Sequence, residues 1–413
     1  MKNLLAIAVT SASGILLFSA CAKNNVPEGP NKPDAPITLI SLAQPVKESM
    51  SGFSFTFFKT LMKEKPVNEN IFVSPLSLHI ALGMVANGAA GETRDEIVKV
   101  LEAQNLSKED LNQSYRTLLE KLPNADPKTS LGLANSIWYK NSFAVEPDFI
   151  KTSKDYFNAQ VTGLPFQPSD VNTINKWASD NTNGKIPKVI DKFDDGLVML
   201  LMNALYFKGD WRAKFDKSKN QSKEFTKADG TKIPVQMMRL EDTVKYASNG
   251  NYTAVQKLYG SGQFSMTILL PQSGTIEEVF NQLNLQEWNA LQGGLHTTKV
   301  ALELPKFKLE QEFRLEQCLQ TMGIQKAFTN VADFSMLSKA FTKISFVKQN
   351  TFGAVDEAGT EAAAVTTIGM ILTAENPDAI PKFICDRPFG IIISENTSNT
   401  ILFMGRITQP VSQ

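Results

Sequence analysis

The 413-residue sequence predicts an α+β fold in which helices pack on large, mainly antiparallel β-sheets. Helical spacing of apolar residues is concentrated before residue 131, whereas alternating or continuously apolar segments typical of strands follow it. Neither an internal repeat nor a linker-like stretch occurs after residue 40. We therefore expect one large domain, although about 150 residues per domain would suggest two or three.

The predicted helices come first. Phe53, Phe57 and Leu61 recur every four residues, which indicates a helix at the start of the domain. Residues 74–91 are apolar and rich in small side chains, a pattern typical of a buried, closely packed helix. Residues 106–122 form an amphipathic helix whose charges alternate in sign, so we expect a solvated face there and no heparin-type basic stripe.

The predicted strands follow. The apolar run 197–207 fits a central strand, and 253–258 with 264–270 reads as a pair. Val300, Leu302 and Leu304 alternate inward along 300–307, where Pro305 marks an edge or an end. After a short helix over 315–322, strands at 382–393 and 399–407 close the chain.

The composition excludes several classes of function. Lysine plus arginine and aspartate plus glutamate both number 42, so the chain lacks the excess positive charge typical of nucleic-acid binding. With only His79 and His296, a histidine-rich metal site is excluded, and no metal or cofactor is expected. Apart from Cys21, the chain has Cys318 and Cys385, which we interpret as two buried free thiols, with a disulfide as the alternative.

Residues 1–20 are interpreted as a bacterial lipoprotein signal peptide. Lys2 precedes an apolar stretch that is short for a membrane span, which needs about 20 residues, and the ending LFSAC resembles a lipobox. Cys21 would then be lipidated; an ordinary secreted protein with a chance cysteine is the alternative. Residues 21–38 contain four prolines and are expected to form a flexible tether before the domain, residues 39–413.

The predicted location is the cell envelope. Anchoring through Cys21 is expected in the outer membrane or at the cell surface rather than in the inner membrane, with extracellular release as the alternative.

Residues 356–381 combine a strand-like pattern with the position of a long loop. Long loops in compact domains are usually functional, yet the even-numbered positions from Thr360 to Met370 would place small or apolar side chains on one face of a strand. This segment therefore has the pattern of a strand where an exposed loop is expected. The start of an alanine-rich helix is the alternative interpretation.

Six sequence blocks, in the right order, resemble the serpin family over nearly all of residues 45–410. They are 70–77 (NIFVSPLS) with 88–93 (GAAGET), 135–138 (NSIW), 174–177 (INKW) with 182–186 (TNGKI), 203–211 (NALYFKGDW), 383–389 (FICDRPF) and 402–406 (LFMGR). The resemblance implies the serpin fold: helices on three mainly antiparallel sheets with an exposed reactive loop, here residues 357–381.

The resemblance also implies a mechanism. A target protease cuts the reactive loop and forms an acyl-enzyme, after which the loop inserts into the main sheet as a new strand and traps the protease covalently. We thus expect a monomeric inhibitor, not an enzyme, whose partners are serine or also cysteine proteases and, through the lipid, a membrane. No heparin-type cofactor is expected.

The hinge at the loop base follows the inhibitory pattern of Glu, any residue, Gly, Thr, Glu and small residues. Gly359 would let the backbone swing, and Thr360 would be the first side chain to enter the sheet. The alternative is a non-inhibitory storage, carrier or chaperone serpin, which usually has a disrupted hinge. The hinge residues are Glu357, Gly359, Thr360, Glu361, Ala362, Ala363 and Ala364.

Other residues match the regions where serpins open their main sheet. Ser74, Ser77 and Asn203 match the shutter beneath the middle of the sheet, and Trp211 matches the breach, where insertion starts. Gln349 stands where many animal serpins have a shutter histidine, and an amide can form similar hydrogen bonds.

Counting from Glu357 by the family spacing places the scissile bond between Thr373 and Ala374, with Leu372, Ile371 and Met370 as alternatives. Counting back from Arg387-Pro388-Phe389 places it about four residues later, so the expected range is 370–377. Between Glu361 and Lys382 there is no lysine or arginine, so trypsin-like proteases are disfavoured as targets. The side chains suit elastase-, subtilisin-, chymotrypsin- or papain-like pockets.

Two rival classes are less well supported. A hydrolase would need a motif such as Gly-x-Ser-x-Gly or His-Glu-x-x-His, and the sequence has neither. His79 lies in an apolar stretch, where a packed core histidine is expected, and His296 follows two glycines in a predicted turn. A solute-binding lipoprotein would need two similar α/β lobes, which the order of helices and strands disfavours.

Overall fold

The computed structural model describes residues 36–360 and 380–411. The described residues form one compact unit. The helices of the described part are α1 (Gln44–Glu64), α2 (Pro75–Gly88), α3 (Gly91–Val100), α4 (Lys108–Lys121), α5 (Pro147–Phe157), α6 (Asp170–Asn181), α7 (Ile276–Gln282), α8 (Leu285–Gly294) and α9 (Glu316–Met322).

The strands of the described part alternate with the later helices. They are β1 (Ile71–Val73), β2 (Thr129–Lys140), β3 (Ala159–Leu164), β4 (Met199–Asp210), β5 (Gln221–Thr226), β6 (Lys232–Ser248), β7 (Tyr252–Tyr259), β8 (Phe264–Pro271), β9 (His296–Pro305), β10 (Phe307–Arg314), β11 (Lys348–Val355), β12 (Gly359–Thr360), β13 (Lys382–Ile384), β14 (Phe389–Glu395) and β15 (Ile401–Ile407).

The predicted order of helices before strands is only partly correct. The predicted helices correspond to α1, α2, α4 and α9, but α3 was not predicted, and α5 to α8 lie among the strands. In α6 the buried residues Val171, Ile174, Trp177 and Ala178 have helical spacing. The predicted strand 382–393 is divided into β13 and β14 around Pro388, which cannot donate a backbone hydrogen bond.

Two hydrogen-bonded sheets form the framework of the described residues. The six-stranded sheet has the order β10-β11-β12-β4-β2-β3, and the nine-stranded sheet has the order β1-β15-β14-β8-β7-β6-β9-β13, with β5 also paired to β6. The 17-residue strand β6 pairs with β5 and β9 through most of its length and with β7 at its end. Because β6 pairs with β5, β7 and β9, the described residues form two sheets and not the three that were predicted. The predicted fold class is confirmed.

Helix α2 connects the two sheets and supports the candidate site. It packs against β4 of the six-stranded sheet and β15 of the nine-stranded sheet, and most of its residues are buried. Ser74 caps its N-terminus by accepting a hydrogen bond from the Ser77 N–H, and Pro75 occupies the first turn, where a missing N–H costs little. The shutter residues are thus fixed by the start of a buried helix.

Two further observations concern single features. Cys318 and Cys385 are both buried and free, as interpreted from the sequence.

Within residues 36–360 and 380–411, no helix is long and apolar enough to cross a bilayer.

Candidate functional site

The hinge enters the six-stranded sheet at β12. Gly359 pairs with Asp210 and Thr360 with Gly209 of β4, while Thr360 also pairs with Val355 of β11. All three pairings are antiparallel. The first residue expected to insert is therefore already between two strands of the sheet.

Gly359 is required for the close approach of the hinge to β4. A Cβ atom at this position would lie 2.1 Å from the carbonyl oxygen of Gly209, far inside van der Waals contact. Any side chain here would push the hinge away from β4. This steric reason adds to the backbone freedom expected from the sequence.

Thr360 is buried and hydrogen-bonded inside the sheet. Its side chain is 4% exposed, and its hydroxyl lies 2.6 Å from the hydroxyl of Tyr259 on β7. Tyr259 is itself fully buried, and burial raises its pKa, so the phenol stays neutral. The small polar residue expected at this position thus has a specific partner from the other sheet.

Trp211 holds the turn that precedes β12. Its backbone N–H donates to the Ala358 carbonyl over 2.8 Å, and its indole Nε1–H donates to the Asp356 carbonyl over 2.9 Å. The indole stacks on the Tyr259 ring at a centroid distance of 4.4 Å. The breach tryptophan predicted from the sequence therefore contacts the hinge directly.

Two carboxylates stabilise the same turn. Asp356 accepts hydrogen bonds from the N–H groups of Ala358 and Gly359, and burial raises the pKa of its carboxyl despite them. Glu357 lies 3.0 Å from the Lys306 ammonium. Burial alone would raise the pKa of Glu357, but hydrogen bonds from the backbone and from Lys306 leave it lowered.

The shutter residues form one hydrogen-bonded group beneath the sheet. The Gln349 amide accepts from the Ser74 N–H and donates to the Ser74 carbonyl, each over 2.9 Å. The Ser77 hydroxyl donates to the Asn203 amide oxygen, and the Asn203 amide donates to Asn135 over 2.6 Å. Gln349 therefore bonds both polar groups of one backbone residue, and β11, α2, β4 and β2 are connected.

A cavity lies beside the shutter. Within the described residues, β4 and β11 do not pair directly with each other, and β12 joins them only at one end. The space between residues 197–204 and 341–350 has a volume of about 480 Å³. Its walls are mostly apolar, and Ser77, Asn203 and Gln349 add polar groups. The arrangement leaves room for further chain between the two strands.

Several predicted site residues lie outside the described residues. These are Glu361, Ala362, Ala363 and Ala364 of the hinge, the scissile pair Thr373 and Ala374 with the alternatives Leu372, Ile371 and Met370, and the lipidation residue Cys21.

Sequence reasoning missed four residues that complete the site. Lys306 and Tyr259 contact hinge residues, Asn135 extends the shutter, and Lys257 packs against Trp211. Asn135 stood in a recognised sequence block, which was the available signal. The other three were not detectable, because their roles depend on contacts between distant segments.

His79 does not form a reactive site with the hinge, and His296, predicted in a turn, is the exposed first residue of β9. His79 is buried in the helical core, where Tyr115 Oη lies 2.9 Å from its Nδ1 and Ser49 Oγ lies 3.4 Å from its Nε2. Burial lowers the pKa of His79 to about 4. Because Ser49 is only 2% exposed and His79 only 1% exposed, a substrate cannot reach this pair.

Comparison with known sequences identifies one family. The model of the serpin family, described as serine protease inhibitors, matches residues 48–410. An uncharacterized serpin-like protein of Thermococcus kodakarensis is 31% identical over 376 residues, covering 89% of this chain and 86% of the relative.

Comparison with solved structures identifies the same family. The thermophilic serpin tengpin in its native state matches with a TM-score of 0.82 and 34% identity, covering 91% of this chain and 97% of tengpin. Human thyroxine-binding globulin complexed with thyroxine matches with a TM-score of 0.81 and 27% identity, covering 89% of this chain and 99% of the globulin. Proteins of this fold thus include one that was crystallised in complex with thyroxine.

Proposed function

The chain belongs to the serpin family, and from that premise we propose that it is an inhibitory serpin, which traps its target protease by inserting the cleaved reactive loop into the six-stranded sheet. The observation that supports this proposal is the position of Thr360, which is buried between Gly209 and Val355. A hinge that already occupies the sheet is prepared to add the following residues as a strand.

The register of β12 defines where such a strand would lie. Six positions beyond Thr360, the same antiparallel register brings Thr366 opposite Asn203 on one side and Gln349 on the other, since Thr360 pairs with Gly209 and Val355. Thr366 shares its face with Thr360 because side chains alternate along a strand. The inserted strand would thus reach the shutter with a small hydroxyl side chain, beside the 480 Å³ cavity.

The energetics favour insertion once the loop is cut. Unpaired backbone groups at a strand edge gain partners, and each new hydrogen bond stabilises by roughly 1 kcal/mol net. About a dozen inserted residues would gain such bonds on both sides, and burial of their small apolar side chains adds to this. An intact loop is tethered at both ends, which opposes full insertion before cleavage.

The target class follows from the loop sequence. We propose cleavage between Thr373 and Ala374, or after Leu372, Ile371 or Met370, by an elastase- or subtilisin-like serine protease. Chymotrypsin-like and papain-like enzymes also accept such side chains. The acidic pocket of a trypsin-like enzyme would find no lysine or arginine between Glu361 and Lys382.

The cellular setting is part of the proposal. A lipid at Cys21 would anchor the inhibitor to the cell envelope, with outer membrane or cell surface display favoured, and the tether 21–38 would separate the inhibitor from the bilayer. A surface-displayed inhibitor could act as a monomer on proteases of the surroundings.

The proposal is tested by mixing the protein with elastase, subtilisin and trypsin and separating the products on denaturing gels. We expect a covalent adduct with elastase or subtilisin that resists SDS. Complete loop cleavage with no adduct for every serine and cysteine protease tried would identify a substrate-type serpin and refute the proposal. Stabilisation by a small ligand without any adduct would instead indicate a carrier.

A further inference from the structure

Lys257 on β7 is a buried lysine beside the hinge. Its side chain is 2% exposed, and its ammonium donates a hydrogen bond to the Ala213 carbonyl over 2.9 Å. The ammonium also lies 5.2 Å from the ring centroid of Trp211 and 4.7 Å from that of Phe215. Among the described residues, no carboxylate forms an ion pair with Lys257. The cation is therefore held by two aromatic faces and one carbonyl.

Residues 211–215, which we call the clasp turn, surround the start of the hinge. Trp211 donates to the carbonyls of Asp356 and Ala358, and the Phe215 N–H donates to the Glu357 carbonyl over 2.9 Å. Three consecutive hinge carbonyls are thus bonded by one turn. The position of this turn determines the position of the backbone that leads into Thr360.

The clasp turn is in turn attached to β7. The Arg212 N–H donates to the Leu258 carbonyl over 2.9 Å, and the adjacent residue Lys257 bonds Ala213 and contacts both rings of the turn. Trp211 stacks on Tyr259, the other neighbour of Leu258. Three successive residues of β7 therefore hold the turn, and Lys257 contributes the contacts at its centre.

A lysine is an unfavourable choice for simple packing at this position. Burial disfavours the charged form of an amine, and it lowers the pKa of Lys257 to about 8, against an opposing effect of Asp242. The side chain is still mostly protonated at pH 7, so the ammonium faces the rings as a cation, an interaction that strengthens when water is excluded. A methionine would fill the same space without the cost of desolvation.

We propose that Lys257 is a positioning residue for loop insertion, which holds the clasp turn against the hinge so that Thr360 stays seated between β4 and β11. This inference rests on the proposed inhibitory function. Insertion begins at Thr360, and a hinge held in register allows the following residues to pair as soon as the loop is cut. A loosened clasp turn delays that step, and the acyl-enzyme is hydrolysed before it is trapped.

The experiment compares four variants with the parent. Lys257→Met removes the charge and keeps the length, and Lys257→Arg keeps a cation that can stack on aromatic rings. Phe215→Leu removes one ring face while retaining an apolar side chain, and it replaces Lys257→Met if that variant does not fold. Lys245→Met is the matched control, because Lys245 is an exposed lysine on the neighbouring strand, opposite Gln256.

The first measurement is hydrogen exchange of the Trp211 and Phe215 amides in the intact protein. We expect exchange to accelerate about tenfold or more in Lys257→Met, less in Phe215→Leu and Lys257→Arg, and not at all in Lys245→Met. Amides in the centre of the β2–β4 ladder serve as the internal reference. Unchanged exchange in Lys257→Met, or equal acceleration in Lys257→Arg and Lys257→Met, would overturn the proposal.

The second measurement separates loop cleavage from trapping with elastase or subtilisin. Lys257→Met is expected to be cleaved as fast as the parent but to require several-fold more inhibitor per protease trapped. An unchanged inhibitor requirement would overturn the role in insertion. If the parent itself forms no adduct, the inhibitory function is refuted, whereas the exchange measurement still decides whether Lys257 holds the clasp turn.

Discussion

The hydroxyl of Thr360 lies 2.6 Å from the hydroxyl of Tyr259, although 101 residues separate them in the sequence. This contact joins the hinge, which belongs to the six-stranded sheet, to β7 of the nine-stranded sheet. A buried hydrogen bond of this kind contributes about 1 kcal/mol. The hinge is therefore seated in the sheet before any protease cuts the loop.

Replacing Thr360 with arginine is expected to convert the inhibitor into a substrate. The site is buried, and an unpaired charge there costs about 3 kcal/mol or more, so the fraction of cleavage events that ends in trapping should fall at least ~100-fold. Titration of subtilisin or elastase activity against inhibitor measures this fraction. Thr360→Ser, which keeps the hydroxyl, is the matched control, and inhibition by Thr360→Arg at the parental level would disprove the insertion mechanism.

Cleavage of the reactive loop is expected to stabilise the protein. Insertion of about a dozen residues adds hydrogen bonds worth roughly 1 kcal/mol each, so the cleaved form should melt about 10 °C or more above the intact form. Calorimetry of both forms measures this difference, and the intact form is a kinetically trapped state. A cleaved form that melts lower than the intact one would show that the loop does not insert.

Trypsin-like proteases are expected to be poor targets. The segment between Glu361 and Lys382 contains no lysine or arginine, so elastase or subtilisin should form the adduct while trypsin does not. Mass spectrometry of the C-terminal peptide released from the adduct identifies the bond, which we expect between Thr373 and Ala374. A peptide that starts outside residues 371–378, or rapid trapping of trypsin alone, would contradict this prediction.

Replacement of the lipidation cysteine should change the location of the protein. With Cys21→Ser, we expect the protein to move from the membrane fraction to the soluble fraction, because the acyl chains proposed at Cys21 would supply most of the membrane affinity. Immunoblots of fractionated cells measure the distribution, with Ser19→Thr as a control for changes near the cleavage site. Retention of Cys21→Ser in the membrane fraction would refute anchoring by lipid.

Acid should destabilise the helical core through His79. Burial lowers the pKa of His79 from 6.5 to about 4. Between these two pH values the unfolded chain binds a proton at His79, whereas the folded protein does not. This stabilising contribution is complete above pH 6.5 and is lost as the pH falls towards 4, a loss of about 3 kcal/mol. Urea unfolding at several pH values measures it, and His79→Gln should lack this component. An identical pH dependence in both proteins would exclude His79 as its source.

The sequence and the structure agree best where the pattern is local. The spacing of Phe53, Phe57 and Leu61 predicted α1, and the alternation of Val300, Leu302 and Leu304 predicted β9, because each pattern depends on residues a few positions apart. The helices α5 to α8 were missed because they lie among strands, where the neighbouring strand patterns are stronger.

The sequence by itself determined the family, the α+β class and the hinge pattern from Glu357 to Ala364, since these depend on the identity and order of residues. Only the tertiary structure decided that Thr360 is already seated between Gly209 and Val355, that Gln349 bonds the backbone of Ser74, and that Lys257 faces Trp211. Apart from the pairing of Thr360 with Val355, each of these contacts joins segments that are distant in the chain. Their geometry is set by the packing of two sheets around α2, which the periodicity of a single segment does not encode.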